Sequence, residues 1–336
     1  MAASRIWTEI DFAAEGKQVG YLHLPYSVTR SAYGTLAMPV AVVKNGAGPT
    51  VFMMSGNHGD EYEGQVTLTK LIRRLDPDDI AGRVIFLPMA NFPAAQAGLR
   101  VSPLDDGNLN RSFPGDPDAG PTAQIAHYID TVLLALADVW LDLHSGGASL
   151  DYVPFASIHV SGDADLDARA LAALKAFGSP ISMIWSFFDD PRLATGSAHK
   201  HKLIYLGSEL GGAGSVNPAG VKICDEGVIR ALTHFGVLTN TEKFAVPAAP
   251  QIRLTELAGR DYYVYAPDAG LFEPYCVLGE EVKDGQIAGA LHFNDDPARA
   301  PVEVPFRHDG LLICKRHLGR CERGDCLAHL ATDYRG

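Results

Sequence analysis

Through roughly residue 245 the chain keeps switching between short apolar runs and longer stretches with helical spacing, and this limits the folds open to it. VAVVKNG (40–46) and PTVFMMS (49–55) predict strands. EGQVTLTKLIRRLD (63–76) predicts an amphipathic helix with Leu68, Leu71 and Ile72 on one face. RVIFLPMAN (83–91) predicts a strand ended by Pro93, PTAQIAHYIDTVLLALAD (121–138) a helix opened by Pro121, and VWLDLHS (139–145) a strand. A helix is expected over 163–178, strands over ISMIWSFF (181–188) and HKLIYLGSEL (201–210), and a helix over 220–238. Such alternation implies an α/β sheet, largely parallel, with helices covering it.

The pattern changes at the linker-like AVPAAPQ (245–251), beyond which short strands are punctuated by glycine turns: YYVYAPDAG, GEEVKDGQIAGALHF, HDGLLICKR and ERGDCLAHLA. The expected division is an N-terminal β segment (1–45), an α/β domain (46–245) and a small all-β domain (246–336). Residues 1–45 could pack against either of the others.

A net charge of −12 disfavours nucleic acid and anionic membrane as partners, since both attract basic surfaces. MAASRIWTEIDFAAEGKQ has no basic segment followed by an apolar core, so no signal peptide is expected. VLLALADVWLDL is interrupted by Asp138 and too short to span a bilayer. Five scattered cysteines do not suggest a disulfide framework. A cytoplasmic protein is expected.

SGNHGDEYEGQ (55–65) concentrates chemistry directly after a strand. Buried charge of that density is costly unless something pairs with it. One His-x-x-Glu, here His58 and Glu61, carries little weight by itself, because about one such pair is expected by chance among 12 histidines. His144, however, ends a second strand, and ligands in open α/β sheets gather at strand carboxyl ends. Two histidines and a glutamate at such ends can make a catalytic zinc site with a position left for water. Glu209, at the end of a third strand, could act as general base. Asp142, two residues before His144, shares its strand face and could orient the imidazole or serve as a structural carboxylate. Between these lie Arg100 in NFPAAQAGLR and Asn110 and Arg111 in DDGNLNRSFPGDP. Arginines here could bind a carboxylate or an oxyanion, or simply lie on the surface.

In order, GNHGDEYEG, NFPAAQAGLR, DDGNLNRSFPG, DLHSGG and SELGG resemble the motif series of the succinylglutamate desuccinylase and aspartoacylase family, within the zinc carboxypeptidase-like hydrolases. The resemblance covers roughly residues 40–240. It implies a mixed sheet flanked by helices and one Zn2+ per chain held by His58, Glu61 and His144. It also implies Glu209 as general base, Arg100 as the oxyanion contact, and Asn110 and Arg111 on a substrate carboxylate. HLPYSVTRSAYGTLAMPV and DGNLNRSFPGDPDAGPTAQIAHYI resemble the bacterial subgroup of N-α-acetyl-L-2,4-diaminobutyrate deacetylases of ectoine breakdown. The implied partner is then a small N-acyl amino acid, with a homo-oligomer as a further expectation. The basic RLATGSAHKHK (192–202), through Arg192 or Lys200, keeps open the diacid substrates of a desuccinylase or aspartoacylase. A third reading is a non-catalytic relative that binds zinc, although all four key positions are filled.

YAPDAGLFEPYCVLGEEVKDGQIAG resembles the barrel-sandwich fold of lipoyl and biotinyl domains, with Gly270, Gly279 and Gly285 at turns. The tip region FNDDPARAP has no lysine to modify, so a structural cap or oligomer contact is expected. His317, Cys321, Cys326 and His329 match no common zinc spacing. Trp140 and Trp185 are expected in the core.

Overall fold

The computed structural model describes residues 3–186 and 190–335. The strands in chain order are β1 (Trp7–Thr8), β2 (Gly16–Pro25), β3 (Thr35–Asn45), β4 (Thr50–Ser55), β5 (Gly82–Leu87) and β6 (Val139–His144). They continue with β7 (Leu150–Tyr152), β8 (Phe155–His159), β9 (Ile181–Trp185), β10 (Ile204–Glu209) and β11 (Arg253–Glu256). The main sheet runs β1-β2-β3-β5-β4-β6-β10-β8-β9-β11 and is mixed. Its centre, β5-β4-β6-β10, is parallel, whereas β8 runs antiparallel to β10. All of β4 and β6 is buried, as expected of strands covered on both faces.

The α-helices are α1 (Glu63–Arg74), α2 (Phe92–Ala97), α3 (Pro121–Tyr128), α4 (Ala164–Phe177), α5 (Ala194–Lys200) and α6 (Pro218–His234). Leu68 and Leu71 of α1, Leu174 and Phe177 of α4, and Cys224 and Val228 of α6 close one face of the sheet over Met53 and Leu141. Ile125 of α3 and Ala198 of α5 cover the other face over Phe52 and Trp140. α4 has the ends its sequence announces: the Asp163 side chain accepts from the N–H groups of Asp165 and Leu166, and Gly178 closes it in the left-handed conformation.

Three expectations change. β5 ends at Leu87, because the following segment bonds to the loop after β4, Ala90 N–H to Ser55 O and Asn91 N–H to Gly56 O. Pro93 therefore opens α2. The helix expected over 121–138 is α-helical only to Tyr128, then continues as a π turn (Ile129–Leu133) and a 3-10 turn (Leu134–Leu136). In the wider turn Asp130 is buried and pairs with Lys200 at 2.7 Å and His201 at 3.3 Å. The strand expected over 181–188 spans Ile181–Trp185; residues 187 and 188 lie outside the described residues.

Residues 1–45 join the α/β part, since β3 pairs with β5 along Ala41–Asn45. The sheet also continues past residue 245: β11 pairs parallel with β9 and antiparallel with the strand Cys326–Asp333. β7 in turn pairs with Gly310–Arg316, Cys314 opposite Tyr152. A separate antiparallel sheet of Val302–Pro305, Ile287–His292, Gly270–Pro274 and Arg320–Cys321 completes the C-terminal β region. Gly279 and Gly285 adopt positive φ as turn residues, while Gly270 opens a strand instead. Among the described residues no helix is long and apolar enough to cross a membrane, and all five thiols are free.

Candidate active site

Because β4, β6 and β10 are parallel neighbours, their carboxyl ends meet on one edge of the sheet. His58 and Glu61 lie in the loop after β4, His144 ends β6, and Glu209 ends β10 directly opposite His144 in register. The loop after β4 must press closely on α2. A Cβ at Gly59 would lie 2.0 Å from the Ala94 carbonyl carbon, so only glycine fits.

His58, Glu61 and His144 are all buried, and one ligand atom from each lies within 4.8 Å of the others. Glu61 joins the pair: its Oε1 is 2.6 Å from His58 Nδ1 and its Oε2 is 2.9 Å from His144 Nδ1. The far nitrogens are held separately. His58 Nε2 lies 3.2 Å from Asn108 Oδ1, and His144 Nε2 lies 3.0 Å from Asp142 Oδ2. With Nε2 held outward on both rings, both Nδ1 atoms turn towards Glu61, the side from which they would ligate a metal once their protons are displaced. Asp142 is fully buried and also accepts from Asn57 Nδ2 and the Tyr205 hydroxyl.

The electrostatics suit a cation. Burial alone would raise the Glu61 carboxyl, but His58 and His144 outweigh it and hold the group below its ordinary range. Burial lowers His58 and keeps its imidazole neutral against the pull of Glu61. Two nitrogens and a carboxylate, all buried and converging, form a donor set that zinc accepts. Among the described residues no other group of three ligating side chains converges in this way. Cys321 and Cys326 donate instead to backbone oxygens, and His329 pairs with Tyr152.

A cavity of about 410 Å³ opens over the cluster. Arg100, Asn110, Arg111 and Glu209 all line it, while Asp142 sits behind His144. Arg100 Nη1 is 3.5 Å from Glu61 Oε1 and 3.4 Å from His58 Nδ1. Asn110 accepts from Ala194 N–H at 2.9 Å, which leaves its amide NH2 to donate. Glu209 has a buried Oε2 without a partner. Burial, then the neighbouring Glu61 charge, push its carboxyl up to about 8.

Neither Arg192 nor Lys200 lines the cavity. Arg192 is paired with Asp190 through two nitrogens, at 3.1 and 2.8 Å, and Lys200 with the buried Asp130. Trp140 is core, as expected; Trp185 is only partly buried and forms cavity wall. Asn57 and Asn108, which steady the cluster, carry no spacing signal in the sequence. Ser157, His159, Tyr152 and Tyr205 also line the cavity and were not foreseen. For Tyr205 a signal existed: it shares a strand face with Glu209, four residues on.

Residues 47–235 match the family described as the succinylglutamate desuccinylase/aspartoacylase catalytic domain. The chain is 43% identical, over 98% of its length and 95% of the relative's, to an N-α-acetyl-L-2,4-diaminobutyric acid deacetylase of Halomonas elongata. Its fold is similar to that of a succinylglutamate desuccinylase/aspartoacylase from Rhodobacter sphaeroides (TM-score 0.92, 42% identity, 98% of this chain and 100% of that one). It is also similar to the product-bound ectoine utilization protein EutE (DoeB) from Ruegeria pomeroyi (TM-score 0.94, 36% identity, 99% and 100%).

Proposed function

The chain belongs to the succinylglutamate desuccinylase/aspartoacylase family, and from that premise we propose that it is a zinc-dependent deacetylase of N-α-acetyl-L-2,4-diaminobutyrate. The Halomonas relative's name supports the substrate, and the Ruegeria protein's title supports a place in ectoine breakdown. The observation that carries the reading is the buried His58–Glu61–His144 set opening on a cavity to which Arg192 and Lys200 contribute nothing. An N-acyl diacid would need a cation for its second carboxylate, and the two candidates are paired elsewhere.

His58, Glu61 and His144 would hold one zinc ion, which when bound polarises a carbonyl and brings the pKa of water towards neutrality. With the Glu61 charge offset by Arg100 and by the cation of an occupied site, Glu209 would stay a carboxylate and take the proton of the attacking water. It returns that proton to the amine nitrogen as the amide bond breaks, so acetate and the free amino acid leave. Arg100 donates to the amide oxygen as negative charge gathers there. Asn110 and Arg111 donate to the α-carboxylate and fix the amino acid. Asp142 keeps the His144 ring turned towards the metal.

We also read residues 1–45, 46–245 and 246–336 as an N-terminal β segment, a hydrolase domain and a barrel-sandwich β domain. The last is a buttress rather than a swinging carrier, since 293–301 has no lysine and β7 ties it to the cavity wall. The test is one assay series with zinc supplied, comparing N-α-acetyl-2,4-diaminobutyrate with N-acetylaspartate and N-succinylglutamate. The diamino substrate should lead in kcat/KM by at least about 100-fold, the scale at which a site built for one polar group rejects another. A preference for either diacid would overturn the substrate and leave the hydrolase standing.

A further inference from the structure

From Glu209 the cavity floor runs back along three strands. Strand alternation puts Tyr205, Gly207 and Glu209 of β10 on one face. Gly207 is opposite Ser157 of β8, and His159 of β8 is opposite Trp185 of β9. The rings form a connected wall: His159 stacks on Trp185 at 5.9 Å and meets Tyr205 edge-on at 6.1 Å. In the middle of this floor Ser157 and Tyr205 close in over Gly207, which a residue without a side chain allows. A Cβ there would lie 2.9 Å from Ser157 Oγ and 3.3 Å from Tyr205 Cε1.

The chemistry of this end is one-sided. It offers ring faces, the Ser157 hydroxyl, and His159 Nδ1, which is buried without a hydrogen-bond partner. Among the described residues it contains no arginine or lysine, whereas Arg100 and Arg111 line the cavity elsewhere. Burial, helped by His199 and His144, pushes the His159 imidazole down to about 3, so it carries no charge at neutral pH and can accept. Aromatic faces attract a cation most strongly where water is excluded.

Resting on the deacetylase reading above, we propose that Gly207, Ser157, His159, Tyr205 and Trp185 form the subsite for the substrate's side-chain ammonium, with the neutral His159 imidazole accepting its hydrogen bond. This end of the floor is centred on Gly207, two strand positions behind Glu209 and about 6–7 Å from it along β10, and the ammonium lies over the side chains that close in there. Two methylenes carry the ammonium about 4 Å from the α-carbon, so the α-carbon itself would lie between the metal cluster and this end of the floor. A carboxylate in the same place would meet ring faces and an acceptor, which repel it.

The test compares N-α-acetyl-L-2,4-diaminobutyrate with N-acetyl-L-norvaline, which replaces the ammonium by a methyl group, on the zinc-loaded enzyme. The ratio of the two kcat/KM values in His159→Phe should fall at least about tenfold below the parent ratio, the value of one charged hydrogen bond. His159→Gln, which keeps an acceptor, should recover most of it. Trp185→Leu, followed in the same way and checked by thermal denaturation, covers the case in which His159→Phe does not fold. An unchanged ratio in His159→Phe and Trp185→Leu, or an equal fall on both substrates, overturns the subsite. A parent enzyme that prefers N-acetylaspartate overturns the deacetylase reading itself and the ammonium subsite with it. That result appears without any variant, so the two failures are distinguishable.

Discussion

His329 Nε2 lies 3.3 Å from the hydroxyl of Tyr152, a residue 177 positions earlier in the chain. His329 belongs to the C-terminal strand Cys326–Asp333, and Tyr152 lines the cavity beside Glu209. The two rings meet edge-on at 5.4 Å, and burial pushes the His329 imidazole down to about 3, so the contact is between neutral groups. The C-terminal β region thus props the cavity wall from behind. His329→Ala should cost about 2–4 kcal/mol of unfolding free energy, from the space left and the Tyr152 hydroxyl stranded. It should raise KM by more than it lowers kcat. Chemical denaturation and steady-state kinetics check both, and an unchanged KM would show that Tyr152 keeps its place unaided.

For the cluster itself, His144→Ala should lose zinc together with activity, since two protein ligands are too few for a stable catalytic site. Asp142→Asn should be milder. It keeps an oxygen for His144 Nε2–H but removes the charge, which corresponds to about 10–100-fold in metal affinity. Elemental analysis after dialysis against a chelator reads both. Full occupancy in His144→Ala would remove that residue from the ligand set.

Glu209→Gln should bind zinc normally yet lose about 10²- to 10⁴-fold in kcat, the usual contribution of a positioned acid–base group. Its amide fills the same space but cannot take a proton. A kcat within a few-fold of the parent would mean that another group receives the proton of the water.

The carboxylate contact calls for a ratio rather than a single rate. Arg111 is exposed at the cavity mouth, yet partial desolvation of its guanidinium, with Arg100 close by, lowers its pKa. Two neighbouring cations are a favourable setting for an anion. Arg111→Ala should penalise substrates with a free α-carboxylate at least about tenfold more than their primary amides. Equal losses on both would leave Arg111 holding its own loop, through its 2.7 Å bond to Asn110 O.

What could be read in advance follows a physical line. β4, β6, α1, α4 and α6 carry long apolar periods or caps, and these survive in the sequence as signals. β8, FASIH, is five residues without clear alternation, and α5, ATGSAHK, has no apolar stripe and includes Gly196, so neither was foreseen. The site divides in the same way. His58, Glu61, His144 and Glu209 sit at strand ends in compact motifs. Asn57, Asn108 and His159 act through contacts that exist only once distant strands and loops are assembled. The apolar strand around Trp185 predicts a core residue, but whether a residue near a strand end faces packing or a cavity depends on what covers it.

Acid should expose one ion pair far from the site. Asp79 is buried in the turn after α1, where its carboxylate accepts from Asp76 N–H, Asn240 Nδ2 and Lys243 Nζ, the last at 2.6 Å. Its backbone oxygen accepts from Thr239 and Asn240 N–H, so this one residue pins the segment after α6 against the segment after α1. Burial raises the carboxyl, but Lys243 and the hydrogen bonds outweigh it, and the folded-state value lies below the ordinary 3.8. A depressed carboxyl stabilises the fold above the unfolded value. As pH drops through 3.8 the unfolded chain takes up the proton first, so this contribution shrinks, and it is lost once the folded carboxyl is protonated. Asp79→Ala should therefore cost about 2–3 kcal/mol at neutral pH, where it strands Asn240 and the Asp76 N–H. The gap between variant and parent should hold down to about pH 5 and narrow below 4. Urea denaturation of both proteins at a series of pH values measures it directly, and a gap that stays constant through pH 3 would show that packing, not the charge, makes Asp79 matter.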